Sequence, residues 1–249
     1  MKTVFIILVN WNGWSDTIDC LNSLARIDQT GLRVEIVVVD NHSSDDSVER
    51  LTRYIKSDHH RKQTITLLPQ KRNTGFSGGN NCGIQFALSR QADYILLLNN
   101  DTIVDRKFLL HLTRFLAENG QAGMVSPKIY FAKGYEFHKN RYQQSERGRV
   151  IWYAGGIIDW NNMYCSHRGV DEIDSGQYSR PEQTAFLSGC AMLIRKEVFA
   201  SVGLLDEHYF LYYEDVDFCM RVSRSGYGVY IQPEAVMWHK NAQSTDFSG

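Results

Sequence analysis

Residues 94–101 read YILLLNND, so that an apolar run ends abruptly in two amides and a carboxylate. An uninterrupted apolar run of this length is typical of a strand that is buried on both faces of a parallel sheet. Two earlier runs are similar: Val4–Val9 ends at Asn10, and Val34–Val39, in which only Glu35 is polar, ends at Asp40. Because parallel sheets bind ligands at the carboxyl ends of their strands, the three polar ends mark one sheet edge as the candidate site.

Helical patterns separate the apolar runs of the first half. After Ser15 and Asp16, either of which could cap a helix, apolar residues recur at three-residue steps. The further predicted elements are a helix opened by Ser43–Asp46, a short strand Ile65–Leu68, a glycine-rich turn Thr74–Gly79 that feeds a helix Asn80–Arg90, and a helix Arg106–Glu118. Strands that alternate with crossover helices predict an α/β fold whose central sheet is mostly parallel and flanked by helices.

The second half of the chain is less regular. We predict a mobile loop or insertion at Lys133–Arg149, an edge strand at Val150–Trp160, a long irregular loop at Asn161–Glu182, regular structure at Ala185–Arg195, a short helix from about Lys196 and a helix from about Glu214 to Ser225. The chain has four prolines and no proline-rich linker, which favours one domain with a smaller, mixed second half.

The charge balance and the cysteines exclude several classes of protein. The chain has 249 residues, with 27 Lys+Arg, 28 Asp+Glu and a formal net charge of −1. Binding to nucleic acid through a broad basic field needs an excess of cations, so nucleic acid is not expected as a partner. The apolar runs are far shorter than the roughly 20 residues of a membrane-spanning helix. The five widely spaced cysteines form no C-x-x-C pair, which predicts reduced thiols in a cytoplasmic protein.

The polar ends of the apolar runs suggest different chemistries. A carboxylate beside amide oxygens at Asn99–Asp101 suits a hard divalent cation that bridges phosphates, although an Asx turn before the next helix explains the same residues. Asp40 could accept hydrogen bonds from a ribose or a base edge, and Trp11 could stack on a nucleobase or simply pack. The residues Asn10–Gly13 lack the G-x-G-x-x-G pattern, so an NAD-binding protein is not expected.

An acidic cluster opens the last predicted helix. Residues 212–218 read YYEDVDF, with three carboxylates within four positions. Acidic groups in the first turn stabilise the helix dipole, which explains one or two of them. A carboxylate here could also act as a general base toward a hydroxyl. His239 follows the apolar residues Ala235–Trp238 and is either a metal ligand or a structural side chain.

Taken together and in order, these clusters resemble family 2 glycosyltransferases of the GT-A fold, in particular the bacterial rhamnosyltransferase-like members. The matching stretches are Ile7–Asn12, Val37–Asp45, Asn73–Gly75, Gly79–Asn81, Leu96–Asp101, Phe186–Gly189, Leu205–Glu207, Glu214–Asp217, Arg221, Gly226–Tyr227 and His239. Any one stretch would be weak evidence, whereas the ordered set spans nearly the whole chain. The resemblance implies a single GT-A catalytic domain over residues 1–249, with a nucleotide-binding half at 1–120 and an acceptor-binding half at 121–249.

The resemblance also implies roles for individual residues. Asp215 falls on the family's catalytic base, and Asp101 and His239 fall on ligands of a divalent metal, Mg²⁺ or Mn²⁺. Among the nucleotide-sugar-binding positions, Asp40 would contact the base, Trp11 would stack on it, and Asn100 would face the ribose or a metal-bound water. The other such positions are Val9, Asn73 and Gly75, and those on the acceptor side are Gly189 and Glu214.

The reaction that the resemblance implies is an inverting sugar transfer. The donor would be a nucleotide sugar, dTDP-rhamnose or a UDP-sugar, and the acceptor a hydroxyl of a glycan or a lipid-linked sugar in surface polysaccharide synthesis. Asp215 would deprotonate the acceptor hydroxyl, while the metal would stabilise the negative charge of the departing diphosphate. Two alternatives stay open: a sugar-phosphate nucleotidyltransferase, and a non-catalytic module that binds nucleotide sugars.

The sequence departs from the family pattern in two places. The first Asp of the D-x-D-like motif is Asn99 here, and because an amide brings no charge, metal affinity would depend on ligands from the donor's diphosphate. Relatives usually continue past the His with an apolar or amphipathic region, so we expect a C-terminal region to be missing after Gly249. The intact protein is then expected in the cytoplasm or peripherally at the inner face of the membrane, and this sequence does not indicate its oligomeric state.

Overall fold

The computed structural model describes residues 1–57, 63–138 and 140–241. Its strands are β1 (Lys2–Asn10), β2 (Leu32–Asp40), β3 (Thr64–Pro69), β4 (Tyr94–Asn99), β5 (Thr102–Val104), β6 (Ala122–Phe131), β7 (Ile151–Tyr153), β8 (Gly156–Asp159), β9 (Tyr164–His167), β10 (Glu182–Gln183), β11 (Ala191–Arg195) and β12 (Gly228–His239). Its helices are α1 (Trp14–Leu24), α2 (Ser47–Lys56), α3 (Gly75–Ser89), α4 (Phe108–Glu118), α5 (Lys196–Val202) and α6 (Glu214–Arg224).

A mixed sheet forms the centre of the described part of the chain. Its strand order is β10-β12-β6-β11-β4-β1-β2-β3, with β5 paired to β12 and β7 paired to β6. The strands β3, β2, β1 and β4 are parallel neighbours, which confirms the parallel sheet predicted for the first half. β11 lies antiparallel between β4 and β6, whereas β6 and β12 are parallel to each other. The prediction that the second half of the chain forms a mixed arrangement of parallel and antiparallel strands is therefore also confirmed.

Strand β1 explains why the apolar runs are uninterrupted. Val4, Ile6 and Leu8 point into a core shared with α1 and α4. Phe5 and Ile7 point into a second core shared with α3, α5 and α6. Because helices cover both faces of the sheet, these five side chains are all fully buried. Polar chemistry is therefore left to the ends of the strands.

Helix α3 begins earlier than predicted. The expected glycine-rich turn Thr74–Gly79 is wrong, because the helix already begins at Gly75 and continues through Asn80. The glycines serve close packing: a Cβ at Gly83 would lie 2.3 Å from Cγ2 of Ile7 in β1. Helix and strand can approach this closely only where the side chain is absent.

Helix α1 also begins before its predicted cap. Trp14 is its first residue and Gly13 precedes it, so the prediction of a cap at Ser15 or Asp16 is wrong. The Gly13 carbonyl already accepts the N–H of Thr17 at 3.1 Å, which places the first helical turn ahead of both candidate caps. α2 and α4 lie close to their predicted positions.

The predicted edge strand Val150–Trp160 is wrong as a single element. It divides into β7 and β8, because Gly155 between them has a φ of +123° and turns the chain. β8 pairs with β9 in a separate two-stranded hairpin, so the predicted irregular loop Asn161–Glu182 contains a strand. Lys133–Arg149 forms turns without helix or strand in its described residues, as predicted, while Lys139 within it lies outside them.

The last elements match the prediction more closely. α5 begins at Lys196 and α6 spans Glu214–Arg224, but regular structure predicted from Ala185 begins only at Ala191. All five cysteines are free thiols. Within residues 1–57, 63–138 and 140–241, none of the helices combines the length and apolarity that crossing a membrane requires.

Candidate active site

Three parallel strands and one antiparallel strand bring the predicted site residues to one edge of the sheet. In the strand register, Asn10 at the end of β1 is opposite Asp40, and Val9 is opposite Asn99. The Asn99 N–H donates to the carbonyl of Cys190 at 2.9 Å, just before β11 begins. Because β11 runs in the opposite direction, its amino end meets the carboxyl ends of the parallel strands. Sequence spacing alone does not show this meeting.

Asp40 forms the floor of the predicted base-binding site. Its side chain is buried and accepts hydrogen bonds from Asn10 Nδ2 at 2.8 Å and from the hydroxyl of Ser43 at 2.7 Å. The Ser43 N–H donates to its other oxygen at 3.0 Å. These bonds fix the carboxylate in one orientation. Its contact with a base stays a prediction, and such a contact would use the lone pairs of its oxygens that these bonds leave available.

Asn73 and Gly75 are held beside the end of β2 by Asn41. The Asn41 Nδ2 donates to Asn73 Oδ1 and to the Gly75 carbonyl, both at 2.9 Å. Gly75 has a φ of +71°, and a Cβ there would lie 2.3 Å from the carbonyl oxygen of Phe210. Position 75 therefore requires glycine, and the loop that carries Phe210 packs directly on it.

Asn100 is tied to the end of β1 through Thr17, which sequence reasoning missed. Asn100 Nδ2 donates to Thr17 Oγ1 at 2.9 Å, and Thr17 Oγ1 donates to Asn10 Oδ1 at 2.8 Å. Asn10 in turn donates to Asp40, so a continuous chain of side-chain hydrogen bonds joins the predicted base and ribose positions. A buried threonine in a helix adjacent to the site gives no distinctive signal in one sequence.

Val9 and Trp11 flank Asn10 at the end of β1. Val9 lies against α3, since a Cβ at Gly79 would be 2.9 Å from Val9 Cγ1. Trp11 follows the strand and is 44% exposed, so its indole is accessible at the candidate edge. The roles of both residues in nucleotide binding stay predictions.

The two predicted metal ligands, Asp101 and His239, are brought together by antiparallel pairing. β12 pairs with β5 so that His239 is opposite Thr102, and the Lys240 N–H donates to the Asp101 carbonyl at 2.9 Å. As a result, His239 Nε2 lies 3.1 Å from Asp101 Oδ1, with both side chains buried. The ring of Trp152 packs edge-on against the imidazole, with 4.5 Å between the ring centroids.

The chemistry of this pair fits a divalent cation. Neither ring nitrogen of His239 has a hydrogen-bond partner of good geometry, although the ring is buried. Burial opposes the charged imidazolium, yet the adjacent Cys190 and Asp101 raise the pKa of His239 above its ordinary value, so a metal would displace a proton from the ring. A cation beside the carboxylate would give a ring nitrogen of His239 a partner. Within the described ranges there is no cluster of three or more His, Cys, Asp or Glu that could hold a metal, so further ligands would come from diphosphate or water.

Lys240 fixes the backbone beside the metal pair. Its Nζ lies 2.8 Å from Asp16 and 2.6 Å from Asp19, both in α1. Since Lys240 directly follows His239 and bonds to Asp101 through its N–H, this ion triad ties the predicted ligands to a helix on the other side of the edge. Sequence reasoning did not single it out.

Asp215, the predicted catalytic base, lies next to Gly189 at the same edge. The Gly189 N–H donates to Asp215 Oδ2 at 2.8 Å, and the Val216 N–H donates to Oδ1 at 2.8 Å. Burial raises the pKa of Asp215, and these backbone bonds only partly oppose the effect. A carboxyl with a raised pKa is a stronger proton acceptor when ionised, as a general base requires.

Glu214 precedes Asp215 and is more deeply buried. Its Oε2 has no hydrogen-bond partner among the described residues, and a Cβ at Gly189 would lie 3.5 Å from its Oε1. Burial, followed by the charge of Asp215, raises the pKa of Glu214 from 4.5 to about 7. The structure thus brings Gly189, Glu214 and Asp215 together, while their division into acceptor-side and catalytic roles stays a prediction.

Comparison with protein families decides the membership of the chain. The family described as "Glycosyl transferase family 2" matches residues 5–203. The chain belongs to this family. The match covers the ends of β1, β2 and β4 with Asp101, whereas Asp215 and His239 lie beyond it.

Curated relatives of this family 2 chain carry names from glycan synthesis. A low-salt glycan biosynthesis hexosyltransferase of Haloferax volcanii is 24% identical, over 90% of this chain and 62% of its own length. A dTDP-rhamnosyl transferase of Shigella flexneri is 25% identical, over 82% of this chain and 59% of its own length. An N-acetylglucosaminyl-diphospho-decaprenol L-rhamnosyltransferase of Mycobacterium tuberculosis is 27% identical, over 85% of this chain and 68% of its own length. The chain thus spans about three fifths of the first two relatives.

Solved structures confirm the GT-A fold. GalNAc-T7, crystallised with UDP, GalNAc and Mn²⁺, superposes with a TM-score of 0.76 at 18% identity, over 96% of this chain and 44% of that protein. A mannosyltransferase of Pyrobaculum calidifontis, in complex with GDP-Man and Mn²⁺, gives a TM-score of 0.63 at 15% identity, over 97% of this chain and 58% of that protein. At these identities the likeness concerns the fold alone.

Proposed function

We propose that this chain is the catalytic domain of an inverting, metal-dependent glycosyltransferase that acts in glycan synthesis. One observation carries the proposal. A buried Asp101–His239 pair, with Nε2 3.1 Å from Oδ1, and a partly buried Asp215 with a raised pKa lie at the same edge of the sheet. A metal for a diphosphate and a base for a hydroxyl are the two groups that a direct sugar transfer needs.

The donor would bind along the hydrogen-bonded edge of the first half. Asp40 would meet the base and the exposed Trp11 would stack on it, while Asn100 would reach the ribose. Val9, Asn73 and Gly75 would form the wall between them. Because internal hydrogen bonds already orient Asp40 and Asn100, little side-chain entropy would be lost on binding.

Asp101 and His239 would hold the metal. A bound Mn²⁺ or Mg²⁺ supplies positive charge to the leaving diphosphate. Imidazole favours Mn²⁺ over Mg²⁺, which prefers oxygen ligands. The Mn²⁺ complexes of GalNAc-T7 and of the Pyrobaculum mannosyltransferase, which share the fold, support this choice.

Asp215 would act on the acceptor. Its carboxylate takes the proton of an acceptor hydroxyl, whose oxygen forms a bond to the anomeric carbon as the bond from that carbon to the diphosphate oxygen breaks. The new bond forms on the opposite face, so the anomeric configuration inverts. The Gly189 N–H holds the carboxylate through Oδ2 and keeps it in one orientation.

The names of the relatives suggest the substrates. A dTDP-rhamnosyl transferase and a decaprenol-linked rhamnosyltransferase favour dTDP-rhamnose as donor, and a lipid-linked or glycan hydroxyl as acceptor, in surface polysaccharide synthesis. UDP-sugars remain the second choice of donor. A lipid-linked acceptor would bring the intact protein to the inner face of the membrane.

The test is sugar turnover that depends on both metal and Asp215. We expect hydrolysis or transfer of dTDP-rhamnose or a UDP-sugar with Mn²⁺, and a loss of at least about a hundredfold in Asp215→Asn with donor binding retained. Asp217→Asn, in the same helix, is the matched control and should keep most activity. Tight donor binding without any turnover would support a non-catalytic module instead. Pyrophosphate release from a nucleoside triphosphate and a sugar phosphate would support a nucleotidyltransferase.

A further inference from the structure

The segment before α6 exposes four aromatic side chains within five residues. Tyr209, Phe210, Tyr212 and Tyr213 are 37%, 57%, 57% and 53% exposed. We call residues 209–213 the aromatic loop. Exposed aromatic groups in such a concentration mark interaction sites rather than ordinary surface.

Main-chain hydrogen bonds anchor the aromatic loop, and of its rings Phe210 also packs against Gly75. The Phe76 N–H donates to the Phe210 carbonyl at 2.7 Å, and the Ser77 hydroxyl donates to the Tyr209 carbonyl at 2.7 Å. Both donors belong to the first turn of α3, which carries the predicted donor residue Gly75. Since main-chain bonds hold the loop in place, most of the aromatic surface is left available for a ligand.

The loop leads directly into the candidate catalytic carboxylates. Tyr212 and Tyr213 have φ values of 70° and 67°, a left-handed conformation that is uncommon for bulky residues. Tyr213 is the residue before α6, so it adjoins Glu214 and Asp215 in the chain. The aromatic loop therefore ends next to the carboxylate that would deprotonate an acceptor hydroxyl.

The charges around the loop select the kind of ligand. Residues 206–220 contain five carboxylates and no Lys or Arg. Although Arg221 pairs with one of them, Asp217, this excess of carboxylates disfavours an anionic lipid headgroup. A neutral polyol has hydroxyls that donate to carboxylates and C–H faces that lie against rings. Tyrosine combines an apolar ring with a polar tip, which matches such a ligand.

We propose that the aromatic loop binds a pyranose ring of the acceptor, with Tyr212 and Tyr213 as its main contacts, and so selects the sugar presented to Asp215. This inference rests on the proposed glycosyltransferase function. The chain offers an internal comparison: the β8–β9 hairpin also exposes aromatic groups, Trp160 at 59% and Tyr164 at 60%. Burial, followed by the charge of Asp215, raises the pKa of the Cys165 thiol in this hairpin, so the hairpin lies near the same carboxylate and is the rival sugar-binding surface.

The experiment measures the binding of simple sugars without turnover. Saturation-transfer NMR with the methyl glycosides of N-acetylglucosamine, galactose, mannose and rhamnose reports binding by the whole chain. The test variant is Tyr212→Asn/Tyr213→Asn, because asparagine tolerates the left-handed backbone. Trp160→Asn/Tyr164→Asn is the matched control, and Tyr213→Trp is the conservative variant. Thermal unfolding verifies that each variant is folded.

We expect at least one glycoside to bind, and the loop variant to bind it about tenfold more weakly while the hairpin control and Tyr213→Trp bind normally. Mn²⁺-dependent binding of UDP or dTDP should be unchanged in all variants. The inference is overturned if no glycoside binds, if the loop variant binds as the wild type does, or if only the hairpin variant loses binding. Loop-dependent adsorption to phosphatidylcholine vesicles, without glycoside binding, would also overturn it. Absence of nucleotide binding with intact glycoside binding would instead refute the proposed function.

Discussion

Replacing Glu214 by glutamine should stabilise the protein at neutral and alkaline pH. The wild-type carboxyl is buried, its Oε2 lacks a hydrogen-bond partner among the described residues, and its pKa rises from 4.5 to about 7 in the folded chain. A raised carboxyl pKa means that the folded state holds the proton more tightly than the unfolded state. The contribution of Glu214 to stability is therefore largest below pH 4.5, falls as the pH rises to about 7, and is constant above.

The magnitude follows from the two pKa values. A rise from 4.5 to about 7 corresponds to about 3 kcal/mol of destabilisation once the group is ionised in both states. Glutamine has nearly the same shape and no charge, so it avoids this cost at every pH. The stability difference between Glu214→Gln and the wild type should therefore increase by about 2 kcal/mol or slightly more from pH 5 to pH 8.

Urea unfolding at pH 5 and pH 8 measures this difference. We expect the variant to gain on the wild type at pH 8, with an increase in melting temperature of roughly 5–10 °C in a parallel thermal scan. Glu197→Gln, at an exposed position in the first turn of α5, is the control and should change by only a few tenths of a kcal/mol. An advantage of Glu214→Gln that is the same at both pH values would refute the reasoning, since it would not arise from ionisation.

Three further predictions concern the edge of the sheet. Asp101→Ala should weaken Mn²⁺-dependent binding of UDP or dTDP by at least about tenfold in calorimetry, because one of two protein ligands is lost. Unchanged binding would show that the metal does not bind at Asp101. Gly75→Ala should destabilise the chain by roughly 1–3 kcal/mol, since Gly75 has a φ of +71° and a Cβ there would lie 2.3 Å from the carbonyl oxygen of Phe210. Gly134→Ala is the control, because Gly134 also has a positive φ but a Cβ there would meet no atom within 4 Å, so that only the backbone cost is measured. Lys240→Met should remove the ion pairs with Asp16 and Asp19 and lower both the melting temperature and the Mn²⁺ affinity. Unaltered Mn²⁺ affinity would show that these ion pairs do not support the metal-binding residues.

The helix beginnings illustrate where local sequence reasoning fails. Thr74 through Gly79 look like a turn because glycine disfavours helices in isolation. In the fold α3 already begins at Gly75, and the absence of a side chain at Gly79 lets this helix pack against Val9 of β1. Helix propensity is a weak preference, and close packing of helix on strand outweighs it. The split of Val150–Trp160 has a different cause, the positive φ of Gly155, which turns the chain.

In the candidate site, too, some contacts could be predicted from the sequence and others could not. The residues at the ends of β1, β2 and β4 could be predicted to meet, since parallel strands that end together present their polar residues at one edge. Thr17, which links Asn100 to Asn10, could not be predicted, because nothing in its local sequence distinguishes it from other helical threonines. The ion pairs of Lys240 could not be predicted either, because Asp16 and Asp19 are more than 220 residues away in the sequence.

By itself, the sequence determined the α/β class, the order of the apolar strands and the polar residues that follow them, because burial on both faces of a sheet requires uninterrupted apolar runs. The tertiary structure decided which distant residues meet. Antiparallel β11 brings Gly189 to Asp215, and the pairing of β12 with β5 sets His239 Nε2 3.1 Å from Asp101 Oδ1. The direction and register of a strand come from long-range pairing and packing, which one-dimensional spacing does not record.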